Sequence, residues 1–222
     1  MDWTALSLSL QLAACTMAVL LPLGIAIGRA LAWRRFAAKP LAEGLLALPL
    51  VLPPTVLGYY LLVTLGAASP LGQWYQASVG RPLVFSFEGL LVASVIFNLP
   101  FAIQPMQRAF ESIPQEVREA AACCGLTRWQ ALRRIELPLA WPGIVSGMVM
   151  TFAHTLGEFG VVLMVGGSIP GETRTVAIAI YDSVQAFDNR AAGLMSAVLL
   201  GLSLLAMGVV YATGARRPAH RG

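Results

Sequence analysis

His154 and Glu158 stand one helical turn apart in a long apolar stretch, and an imidazole and a carboxylate at that spacing are able to pass a proton between them. Such a pair could serve an intramembrane enzyme. The spacing His154-x3-Glu158 is nevertheless not the zinc motif H-E-x-x-H, and no serine sits in G-x-S-x-G. Cys15, Cys123 and Cys124 form neither a C-x-x-C pair nor a disulfide framework, and they read as structural filler. The single lysine, Lys39, is followed by Pro40 rather than the Ser or Thr of G-x4-G-K-[ST], so a phosphate-cradling loop is absent. These residues provide no catalytic set and no metal site.

The segments that carry them are membrane spans. The chain of 222 residues is 57% hydrophobic and 12% charged, with a mean hydropathy of +0.72, whereas soluble domains carry about 25% charged residues. No charge occurs from Trp3 to Gly28, Gly44 to Gly80, Gly89 to Gln107, Leu137 to Gly157 or Ala191 to Ala215. Crossing a hydrocarbon core of ~30 Å takes roughly 20 apolar residues, so each window holds one span. Five spans are expected, near residues 6–28, 45–65, 90–106, 142–165 and 191–211. The first lacks the basic leader of a cleaved signal peptide.

The net charge of +4 does not point to nucleic acid, because its distribution is topological. Arg29, Arg34, Arg35 and Lys39 follow the first span; Arg108, Arg118, Arg128, Arg133 and Arg134 follow the third; Arg216, Arg217 and Arg221 follow the last. Basic residues are retained on the cytoplasmic side, which puts the N-terminus outside and the C-terminus inside. Pro49, Pro53 and Pro54 should break the second span, and Asn98-Leu99-Pro100 should interrupt the third. Gly24-x3-Gly28 and Gly143-x3-Gly147 are small-residue pairs that let helices approach closely. Residues 166–189 form an external loop, with a short helix over 175–187.

The cytoplasmic segment 108–138 carries the most specific pattern, E-A-A-x3-G-x9-I-x-L-P, formed by Glu119, Ala120, Ala121, Gly125, Ile135, Leu137 and Pro138. Ser112-Ile113-Pro114-Gln115 reads as a capping box that opens a helix. That helix puts Val117, Ala120, Ala121 and Cys124 on one stripe. Gly125 suits a left-handed cap, Thr127-Arg128-Trp129-Gln130 repeats the capping pattern, and Pro142 begins the next span. The result is helix, glycine turn, helix, bordered by Glu116, Glu119 and arginines. Such a surface suits docking into a groove on a soluble partner.

This constellation, placed between two spans, resembles the coupling loop of the membrane subunits of ABC importers. The resemblance implies an all-α, type I importer permease fold in the bacterial cytoplasmic (inner) membrane. It also implies a second copy of the chain, two ABC ATPase subunits and an external oxyanion-binding protein as partners. No cofactor belongs to this chain; ATP and Mg would be used by the ATPase. Thr155-Leu156-Gly157-Glu158-Phe159-Gly160 is similar to a stretch shared by molybdate and sulfate/thiosulfate permeases, and Gly171-Glu172-Thr173-Arg174-Thr175 with residues 179–185 is similar to the molybdate branch. Molybdate import is therefore the expectation, with sulfate, thiosulfate and tungstate import as alternatives. An autonomous secondary transporter would need coupling-ion sites and usually an internal repeat, neither of which is visible.

Glu158 would repel a divalent oxyanion, so it reads as a structural or gating group, bonded to His154 or paired with Arg174 or Arg190. Thr55, Ser94, Asn98, Thr151 and Thr155 are uncharged candidates for the pathway.

Overall fold

The computed structural model describes residues 1–214, which contain eleven α-helices, one π-helical turn and no strand. Arg216, Arg217 and Arg221, expected at the cytoplasmic end of the last span, lie outside the described residues. The first span is α1 (Trp3–Trp33), opened by Asp2, whose side chain accepts the Ala5 N–H. The expected break of the second span occurs: α2 (Lys39–Val51) and α3 (Pro54–Leu65) meet at 110°. Pro53 and Pro54 supply no N–H there, and a residue before proline avoids the helical region. At 13 and 12 residues and 1.5 Å per residue, neither arm alone crosses ~30 Å of hydrocarbon.

Two further helices follow. The helix α4 (Pro70–Val79) was not foreseen in the long neutral window; Ser69 caps its start and Gly80, at φ +82°, ends it. The third span, α5 (Phe87–Glu111), runs unbroken through both Pro100 and Pro105, contrary to the expected interruption. Packing accounts for the difference, because helices grip α5 from two sides. Gly24 and Gly28 of α1 approach it so closely that a Cβ would lie 2.7 Å from the Met106 sulfur and 3.0 Å from the Gln107 nitrogen, respectively.

The opposite grip comes from α8 (Leu137–Gly157). A Cβ on its Gly143 would lie 2.4 Å from the Ala109 Cβ, and one on Gly147 would lie 2.9 Å from the Ala102 oxygen. Met106, Phe110, Ala140 and Ile144 fill the buried cluster between these helices. Gly58 and Gly160 serve the same purpose where α3 meets α9 (Gly160–Gly166). The fourth span therefore differs from expectation: Pro142 lies inside α8, and the chain breaks at Glu158 and Phe159 before α9 resumes. In the external loop, α10 (Val176–Gln185) packs Val176 and Ala179 against Ala5 and Met195. The last span is α11 (Asn189–Gly214).

Candidate functional site

The candidate coupling segment is built from α6 (Gln115–Cys123), α7 (Arg128–Ala131) and a π-helical turn, Leu132–Glu136, that continues into α8. Ser112 does not cap α6. The preceding span overshoots, so Ser112 closes α5 and turns its hydroxyl onto the Ala109 carbonyl, while Pro114 stands before the first turn of α6. Gly125 behaves as its type and place predict, with φ +73°. The Gly125 N–H reaches the Ala122 carbonyl at 2.9 Å and the Leu126 N–H reaches Ala121 at 3.2 Å, the paired bonds of a Schellman turn. The Thr127–Gln130 capping box forms with both reciprocal bonds.

Only half of the expected apolar stripe faces inward. Ala121 is buried and Val117 is half-buried, whereas Ala120 and Cys124 are exposed. Glu116, Glu119, Ala120, Cys123, Cys124 and Gly125 thus form one free surface, on which the cysteines fill no gap. Gln115 donates to Glu119 across one turn at 2.6 Å. On the other side Leu137 packs into the α1–α5–α8 cluster. Ile135 is half-buried and Pro138 is exposed.

Four residues outside the candidate list tie this segment to the spans. Arg29 of α1 donates Nε to Glu136 at 2.6 Å and Nη2 to its second oxygen at 3.1 Å, and Glu136 is only 5% exposed. Trp33 donates its ring N–H to the Phe110 carbonyl at 3.2 Å. The Arg118 guanidinium lies 4.0 Å over the Trp33 ring. The pointer in the sequence was Glu136 itself, a carboxylate set among the apolar positions of Ile135-Glu136-Leu137 with Arg29 at the same membrane border.

A second group of polar residues is buried between α5 and the α8–α9 break. Glu158 Oε2 accepts from Ser94 Oγ at 3.0 Å and from Asn98 Nδ2 at 3.2 Å. The Asn98 oxygen meets His154 Nδ1 at 3.0 Å, and the His154 ring stacks on Phe101 with centroids 4.0 Å apart. Glu158 therefore reaches His154 only through Asn98. It does not pair with Arg174, which bonds Asp2 at 2.8 Å, and neither Arg174 nor Arg190 is among its partners. Glu158 Oε1 is buried with no hydrogen-bond partner among the described residues.

Thr151 and Thr155 are buried nearby on α8, but the Thr155 hydroxyl turns back to the Thr151 carbonyl at 2.8 Å. Thr55 is exposed at the start of α3, and its backbone packs against Gly160 rather than against the Glu158 group. Among the described residues no cluster of three or more His, Cys, Asp or Glu side chains could hold a metal.

The chain as a whole is similar to known proteins. The molybdenum transport system permease protein of Azotobacter vinelandii is 44% identical over 96% of this chain and 94% of its own length. Its counterpart in Escherichia coli K12 is 37% identical over 83% and 80%, respectively. The Escherichia coli sulfate transport system permease protein is 33% identical over 77% of this chain and 61% of its own. Among solved structures, a bacterial ABC transporter involved in alginate import matches with a TM-score of 0.72 at 16% identity, over 96% of this chain and 77% of that one. An inward-facing methionine ABC transporter matches with a TM-score of 0.64 at 18% identity, over 96% and 94%. Residues 21–217 match the inner membrane components of binding-protein-dependent transport systems, and the chain belongs to that family.

Proposed function

We propose that this chain is the channel-forming subunit of a molybdate importer, working as a pair of copies on two ABC ATPases and fed by an external oxyanion-binding protein. The observation that carries the coupling role is the free surface of α6, where Glu116, Glu119 and Ala120 stand exposed beside a rigid Gly125 turn. A short helix with a flat alanine face and a charged border fits a groove on a soluble partner. ATP and Mg belong to that partner. Its movement reaches the spans through the π turn into α8 and through the Glu136–Arg29 tie to α1.

The buried Ser94–Asn98–Glu158 group supports a gate. It fastens α5 to the one place where the fourth span loses its helix, so releasing it frees α9 to move. A buried carboxylate repels an oxyanion, and a conduit must bind its cargo weakly enough to release it. Thr55, Thr151 and Thr155 remain pathway candidates on that reading. Support for molybdate comes from the relatives named for molybdenum transport, which align over more of their own length than the sulfate permease does.

The test is ATP hydrolysis by the reconstituted complex. Stimulation by molybdate-loaded binding protein, and not by the sulfate-loaded form, is the expected result. Stimulation by the sulfate form alone would keep the mechanism and move the chain to the sibling branch, which its 33% identity to a sulfate permease makes the second reading.

A further inference from the structure

Beside the coupling segment, a cavity of 870 Å³ opens between the inner end of α1 and the α6–α7 turn. Its rim holds Arg29, Arg34, Arg118 and Arg128, together with Trp33 and Trp129. Arg29 is paired with Glu136. Arg34, Arg118 and Arg128 have no carboxylate partner among the described residues, and Glu136 is the sole acid in the lining.

The floor is apolar, formed by Pro22, Ile25 and Ala26 of the membrane-spanning part of α1 and by Leu126 and Leu132 opposite. A second cavity, of 620 Å³, lies across α1 and is lined by Ile27, Leu31 and Phe36, with Arg35 beside Arg34 at its cytoplasmic end. The two share Ala26, Ala30 and Arg34, so the small side chains of α1 leave a saddle with Arg34 at its crest.

We propose that this saddle binds an anionic glycerophospholipid of the inner leaflet, with one acyl chain in each cavity and the phosphate at Arg34, Arg118 and Arg128. Two troughs with apolar floors, joined at a cationic point, match a two-chain lipid; a free anion would have no use for the floors. Basic pockets between helices on the cytoplasmic side recognise acidic headgroups, and tryptophans favour the same interface. Because the site touches Trp33, α6 and the π turn together, its occupant would brace the coupling segment against α1.

Native mass spectrometry of the purified full-length chain, titrated with phosphatidylglycerol or phosphatidylcholine of matched chains, tests this. Phosphatidylglycerol should bind at least tenfold more tightly, and Arg34→Gln/Arg128→Gln should erase that preference, since each arginine near a lipid surface contributes about fivefold. The equal charge change Arg81→Gln/Arg190→Gln, on the external side, should leave the preference in place. Equal binding of both lipids, or equal loss in both double variants, would overturn the assignment. Displacement of phosphatidylglycerol by millimolar inorganic phosphate would assign the arginines to a free anion and overturn the lipid.

Discussion

Glu158 commits one oxygen to Ser94 and Asn98 and leaves the other without a partner among the described residues. Glu158→Ala should therefore strand the buried Ser94 hydroxyl, while the Asn98 amide keeps the Ser94 carbonyl at 2.9 Å, at a cost of about 1–3 kcal/mol, visible as a lower melting temperature of the purified chain. Glu158→Gln keeps an acceptor for Ser94 and Asn98. It should retain most of that stability and alter transport instead, measured as molybdate uptake into proteoliposomes. Sequence spacing identified His154 and Glu158 as a pair but not the Asn98 link between them. The reason is local: the last turn of α8 tightens, Glu158 donates its N–H to the Thr155 carbonyl, and the regular i,i+4 neighbourhood is lost. The Arg29–Glu136 pair was half legible: Glu136 stood out as a carboxylate among apolar positions, but nothing singled out Arg29, 107 positions away, from the other arginines as its partner. Arg29→Ala leaves a buried carboxylate alone and should cost up to about 3 kcal/mol, while Arg29→Ala/Glu136→Leu should recover most of it. Thermal unfolding of both variants checks the difference.

At the scale of elements, legibility followed how local the cause was. The Gly125 turn and the Thr127–Gln130 box are decided within six residues, and both formed as read. The fate of each proline depended on what packs beside it. Consecutive prolines split α2 from α3, whereas Pro100 and Pro105 lie where glycines of α1 and α8 hold α5 on both sides. That clamp predicts that Gly147→Leu, which must displace the Ala102 carbonyl, lowers stability by about 1–3 kcal/mol. Heating in detergent with a fluorescent readout would measure it. Gly125→Pro both forbids φ +73° and removes the N–H bonded to Ala122. It should abolish ATPase co-purification while membrane insertion stays intact; normal co-purification would remove the coupling role from α6. The π turn between α7 and α8 had no sequence signal, since it arises from one residue more than a regular helix would hold between the cap and the span.

At the scale of the whole molecule, the order of neutral and basic segments was enough to read an all-helical plan; among the described residues four helices are long and apolar enough to span, and the expected five are reached when the bent α2–α3 pair counts as one. Orientation gives a further expectation. Cys123 and Cys124 are exposed on the free surface of α6 and its turn, while Cys15 is half-buried within α1. A membrane-impermeant maleimide should label the chain in inside-out vesicles but not in right-side-out ones, and bound ATPase should protect it. Labelling from outside would invert the topology. The tie between Arg29 and Glu136 has one more consequence, which concerns the order of synthesis. A ribosome adds about 5–20 residues per second, so Glu136 follows Arg29 by roughly 5–20 s. In that interval the uncharged stretch of the nascent first helix ends at an unneutralised Arg29 with Arg34 and Arg35 behind it, the charge pattern that holds a helix end in the cytoplasm. When the carboxylate arrives, the same guanidinium stops being a signal for insertion and becomes a joint of the finished fold.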